Sequence, residues 1–200
     1  MIEKITEYLT NRIRKEMPEI DDERAEVINY GLQIILGEFP KLIIMLVVAQ
    51  FLGIFKQTVL TFLILLPYRG FSGGFHLKTH IGCIVSTCTF YCGIAMLAKN
   101  IVLDIQLKYI FIIATAVFST IMIKLYAPAD TEEVPILSKK IRKQKKILSY
   151  MSLAIGLAIA LVIPNGEISN IIIFGYIVQT CMITKIAYKI TNNKYGYELS

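Results

Sequence analysis

His76 and Cys83 are the residues of this chain best suited to covalent chemistry. A thiol with an ordinary pKa of about 8.5 is a weak nucleophile until a base or a positive potential converts it to thiolate, and imidazole is a suitable base near neutral pH. The chain has 2 histidines, and both fall in the stretch RGFSGGFHLKTHIGC, which also holds Arg69, Gly73, Gly74 and Cys83. In a straight helix, positions 76 and 83 lie about 20° apart on one face but about 10.5 Å apart along the axis. Both side chains lean toward the N-terminus, so they would not touch. A His76–Cys83 dyad therefore needs a break in the helix. Gly73-Gly74 can fold the chain back just before His76, and Thr79 can cap a helix that begins after it. Cys83 then lies near a helix N-terminus, whose partial positive charge favours thiolate. His80, three residues from Cys83, is the alternative base and needs no break.

Two other readings stand beside the dyad. His76, His80 and Cys83 have the i, i+4, i+7 spacing of a metal site, but that gives three ligands and no evident fourth. Cys83 could also be a small buried hydrophobe, as most free cysteines are. Cys88, Cys92 and Cys181 fit that role alone. Ser72 lacks the Gly-x-Ser-x-Gly surroundings of a nucleophile elbow.

The elements that must position these residues are membrane helices. The chain has 200 residues, 55% hydrophobic and only 18% charged, against roughly 25% charged in an average soluble domain. Its mean hydropathy is +0.59, and the apolar residues lie in long runs. Those figures exclude a disordered chain, a soluble nucleic-acid binder and a disulfide miniprotein, and they fit one membrane domain over residues 1–200. The 4 cysteines form no CxxC pair, and the first residues are too charged for a signal peptide.

A hydrocarbon core of about 30 Å needs roughly 20 helical residues. Spans are predicted at 30–54, with Pro40 as a kink, and at 81–97, 107–126, 147–163 and 168–188. The apolar run Thr58–Leu66 is short and meets Pro67, so to cross it must borrow residues on both sides. Irregular backbone at membrane depth survives where it lines a cavity or is buried in protein, which places Arg69–Phe75 on a cavity near one face. The expectation is an all-α polytopic protein with about six transmembrane helices, the second short and broken. Residues 1–20 form an amphipathic helix, with Ile2, Ile5, Leu9, Ile13 and Met17 as its apolar stripe. It either lies on the membrane surface or packs on the rest of the protein. Pro18 ends it, and Asp21 or Asp22 caps the next helix.

Net charge is +6, and its distribution sets the orientation. With the N-terminus inside, basic residues concentrate in segments 1–29, 68–80, 127–146 and 185–200, whereas the outer turns hold only Lys56, Lys99 and Lys108. By the positive-inside rule both termini, the 68–80 loop and the basic 127–146 loop are cytoplasmic. That last loop opens APADTEEVPI and carries Lys139, Lys140, Arg142, Lys143, Lys145 and Lys146. Such a run is commonly a topology signal facing anionic lipid; it could also grip an acidic peptide.

The pattern Arg69, Gly73-Gly74, His76, Cys83, after a short second span, resembles the accessory gene regulator protein B (AgrB) family, membrane peptidases of peptide quorum sensing. LYAPADTEEVPI followed by lysines, and YGLQIILGE near the start, carry the resemblance over nearly the whole chain. Gly70 departs from the family, many of whose members have a second basic residue there. The resemblance implies a cysteine endopeptidase that cuts the C-terminal tail from an AgrD-like propeptide and leaves the remainder as an acyl-enzyme. A cysteine or serine of the peptide then closes a thiolactone or lactone. Cys83 would be the nucleophile and His76 the proton shuttle. Arg69, Gly73 and Gly74 would support the substrate or oxyanion, with no cofactor. The partners implied are the propeptide and the lipid bilayer, with a homodimer compatible and no nucleic acid. The rivals are a small transporter or channel using the broken segment as its binding site, and a metal-dependent membrane hydrolase.

Overall fold

A computed structural model of the chain describes residues 2–17, 19–77, 79–132, 135–136 and 138–196, with the backbone alone at residues 2–4, 23, 30, 33, 34 and 80. Among the described residues the regular structure is all helical: α1 (Ile2–Glu16), α2 (Asp22–Phe51), α3 (Phe55–Ser72), α4 (His80–Asn100), α5 (Ile105–Tyr126), α6 (Lys139–Val162), α7 (Gly166–Met182) and α8 (Lys185–Ile190).

Most of these helices start where the sequence supplies a capping oxygen. Asp21, Thr79, Asp104, Ser138, Asn165 and Thr184 each accept the backbone N–H three residues on. Each such cap stabilises its helix by about 1 kcal/mol.

The packing is that of a protein whose solvent is lipid. On α5, Ile110, Ile113, Val117, Ile121 and Leu125 form an exposed apolar stripe, while Thr115 and Ser119 are on the buried face. Buried Thr58, Thr61, Ser149 and Ser152 likewise line the seams of α3 and α6. Small polar side chains between helices with apolar ones outside is the membrane pattern, because lipid gives apolar residues no reason to turn inward. Three helices, at Ile81–Asn100, Ile105–Tyr126 and Lys139–Val162, are long and apolar enough to cross a membrane. α7 is the central element and packs against α3, α4, α5 and α6.

Several expectations change. α3 runs as one helix through Pro67 to Ser72, whereas α2 starts behind its expected Asp21 cap and continues as helix through Pro40. The basic run 139–146 is not loop but the first two turns of α6, because Ser138 caps a segment of good helix formers. The 168–188 span is interrupted after Met182, and Thr184 caps the separate α8. α1 packs on α2, yet among its described side chains the buried ones are Thr6 and Thr10, while Ile5 and Met17 of the apolar stripe stay exposed. Pro18 lies outside the described residues.

Candidate active site

The site forms where α3 stops. Gly73 (φ 77°) and Gly74 (φ 146°) take backbone conformations that L side chains disfavour; residues 74–77 are non-helical, and Thr79 caps α4. This is the break that the His76–Cys83 spacing requires. Cys83 sits in the first turn of α4, its N–H donating to the Thr79 carbonyl at 2.9 Å. Its thiol donates to the Leu77 carbonyl at 3.3 Å. The carbonyl of His76 accepts from Asn193 Nδ2 at 2.8 Å.

The segment between α5 and α6 closes against this turn as a strap. The Ala129 N–H donates to the Ser72 carbonyl at 2.8 Å, and the Gly74 N–H donates to the Ala129 carbonyl at 2.9 Å. A side chain at Gly73 would overlap the Ala129 carbonyl. Asp130, its side chain only 1% exposed, holds the strap through an ion pair with Arg142 at 2.6 Å and accepts the Ile136 N–H at 2.8 Å. Its carbonyl accepts from the Tyr188 hydroxyl at 3.1 Å.

Two cavities meet at this point. The larger, about 430 Å³, has Cys83, His76, Arg69 and Gln179 on its wall and is otherwise mostly apolar, with Met45, Phe62 and Phe90 among its lining. Lys41 and Glu38, paired at 2.6 Å, also border it. The smaller, about 170 Å³, is lined by Gly73, Gly74, Asp130 and Lys145 among others. Arg69 and His76 border both. The Arg69 Nη1 donates to Gln179 Oε1 at 3.1 Å and Met182 Sδ at 3.3 Å. Among the described residues no carboxylate pairs with it.

Thus Arg69, His76 and Cys83 border one cavity, and Gly73-Gly74 makes the turn. The glycine N–H groups are engaged inside the fold. The Gly73 N–H donates to the Arg69 carbonyl and the Gly74 N–H to the Ala129 carbonyl. The basic residues of α6 divide. Lys139, Lys140 and Lys143 are exposed. Arg142 is committed to Asp130, and Lys146 donates to the Lys124 carbonyl at 2.6 Å. Lys145 reaches the small cavity. The side chain of His80, on which the second base and the metal reading depend, lies outside the described residues. Cys92 is buried, Cys88 half-buried and Cys181 exposed. Ala129 and Asp130 fall in the LYAPADTEEVPI segment, but the contacts that they, Gln179 and Asn193 make join segments far apart in the chain, which no local pattern announces.

An all-helical membrane protein that brings a cysteine, a histidine and an arginine to one cavity at a broken helix is a narrow class. Within it, the family described as Accessory gene regulator B matches residues 3–183, and the chain belongs to that family. It is 31% identical over 187 residues to an AgrB-like protein of Listeria innocua serovar 6a, covering 93% of this chain and 90% of that one. It is 25% identical over 195 residues to an AgrB-like protein of Clostridium acetobutylicum, covering 98% and 91%. With the Accessory gene regulator protein B of Staphylococcus aureus it shares 26% over 161 residues, covering 80% and 83%. No solved structure matches the chain.

Proposed function

We propose that this protein is a membrane cysteine endopeptidase that removes the C-terminal tail of an AgrD-like propeptide through an acyl-enzyme and promotes cyclisation of the remainder into an autoinducing peptide. Membership of the family supplies the coarser part, an accessory gene regulator role in quorum sensing. The observation that carries the finer part is the larger cavity, on which Cys83, His76 and Arg69 are gathered by the glycine break.

In this reading His76 takes the Cys83 proton as sulfur adds to the peptide carbonyl, and returns it to the leaving amine as the C–N bond breaks. The thioester retains much of its acyl-transfer potential. A thiol or hydroxyl of the peptide then adds to it, gives up its proton to His76 and expels the Cys83 thiolate, which is reprotonated. Exchange between thioesters is nearly balanced, whereas hydrolysis is downhill, so the apolar wall serves by excluding water. Arg69, with N–H groups not engaged by any described carboxylate, is the donor for the oxyanion.

The two cavities suit the two halves of such a substrate. The acyl half faces the apolar walls around Phe62 and Phe90, and an acidic tail faces Arg69 and Lys145. Six crossings, formed by α2 to α7, place both termini, the 68–80 segment and the basic end of α6 on the cytoplasmic side of the cell membrane. The charge bias of the sequence supports that orientation.

Mixing the purified protein with its propeptide tests the reading. An adduct of peptide on Cys83, released by hydroxylamine and missing from Cys83→Ala, is expected, together with tail release. Cys88→Ala, Cys92→Ala and Cys181→Ala retain both. Tail release by Cys83→Ala at the wild-type rate removes the cysteine mechanism. Loss of activity on chelation favours the metal-dependent hydrolase.

A further inference from the structure

Gln179 lies in the last turn of α7 and is only 2% exposed. A buried primary amide costs free energy unless its oxygen and both N–H bonds find partners. Here all three do. The Oε1 accepts from Arg69 Nη1 at 3.1 Å, while Nε2 donates to Ser72 Oγ at 3.0 Å and to the Gly73 carbonyl at 2.7 Å. The partners are the last turn of α3, the glycine break and the guanidinium that borders both cavities. The amide can stand only one way round: exchanging its nitrogen and oxygen would set donor against Arg69 and acceptor against the Gly73 carbonyl.

The tether is also neutral. A carboxylate in this place would pair with Arg69 and cancel its charge. An amide holds the guanidinium in one orientation and leaves that charge uncompensated among the described residues. The glycine amides are spent inside the fold, so a developing oxyanion must find its donor elsewhere, and Arg69 shares the Cys83 cavity.

We propose that Gln179 is a positioning residue for acyl transfer, fixing Arg69 where its remaining N–H groups receive the anionic oxygen formed when the Cys83 sulfur adds to the peptide carbonyl. This rests on the cysteine-peptidase reading above. Gln179 touches no reacting atom and acts through Arg69.

The test is a double-mutant cycle on propeptide cleavage in detergent, with wild type, Gln179→Met, Arg69→Gln and the double variant. Alkylation of Cys83 by a small thiol reagent monitors the integrity of the cavity. Removing a direct oxyanion donor costs about 10²- to 10³-fold in kcat. Loosening one should cost less, so Gln179→Met is expected to lower kcat about 10- to 100-fold with KM changed less than about threefold. The double variant should be within about twofold of Arg69→Gln alone. If Gln179→Met fails to fold, Gln179→Asn, which keeps the amide but shortens its reach, enters the cycle in its place. Losses that multiply in the double variant, a loss confined to KM, or wild-type kcat in the folded variant each overturn the assignment. Absence of cleavage by the wild type sinks the peptidase reading itself.

Discussion

The carbonyl of Ala129 stands directly over Gly73. The two residues form a one-residue parallel bridge that ties the α5–α6 strap to the end of α3. The contact tolerates no side chain, and the φ of 77° at Gly73 already disfavours one.

Gly73→Ala should therefore lose cleavage by at least about tenfold and lower the unfolding midpoint in detergent, since backbone at φ 77° and ψ −151° is essentially reserved to glycine and costs a residue with Cβ about 1–3 kcal/mol. Gly70→Ala is the comparison. No neighbour lies within 4 Å of a Cβ there, and alanine is the better helix former, so stability should hold or rise. Equal behaviour of the two variants would show that the strap is dispensable.

The two histidines should separate. His76→Ala is expected to reduce cleavage by about 10²- to 10⁴-fold, the usual cost of removing a positioned acid–base group, and His80→Ala far less. Initial rates of tail release on both variants decide it. The reverse ranking would make His80 the base and His76 an edge residue of the cavity.

Arg142 should behave unlike its basic neighbours. Removing it strands the buried carboxylate of Asp130, and breaking such a pair typically costs about 3–5 kcal/mol. Arg142→Gln should thus unfold at markedly lower temperature, with Asp130→Asn in the same chain restoring part of the loss. Lys139, Lys140 and Lys143 changed together to glutamine should leave stability alone. They should raise KM for an acidic propeptide and flatten its salt dependence, because exposed charges act at long range and are screened. An unchanged KM and salt slope would leave those lysines as a topology signal.

Orientation is open to labelling in intact cells. Cysteine introduced at Asn165, the turn between α6 and α7, should react with an impermeant thiol reagent, and one at Ser138 should not. Modification at Ser138 is incompatible with six crossings.

Much of this arrangement is legible in the sequence because it is local. Thr79, Asp21 and the glycine pair act on residues within a turn of themselves, so residue type and spacing are enough to place a cap or a break. The gathering of Arg69, His76 and Cys83 follows from that break. What sequence could not supply is contact across the chain. Gln179 meets Arg69, Ser72 and Gly73, and Asn193 meets His76, only because α7 and the segment after α8 return to the same spot. The start of α6 is hidden for another reason. Dense positive charge suggests a solvated loop, yet Lys, Arg and Gln favour helix, and Ser138 in front of them was the cap that could have signalled it.

The unbroken course of α6 from Lys139 to Val162 also fixes a phase between the strap and the membrane. A loop absorbs an inserted residue; a helix transmits it. One residue added between Arg142 and the buried Ser149 would turn Arg142 by about 100° and displace it by about 1.5 Å relative to the bundle, swinging its guanidinium away from Asp130. The distance from Arg142 to Ser149 is therefore counted in whole residues, so substitutions can accumulate within it where a change of length cannot.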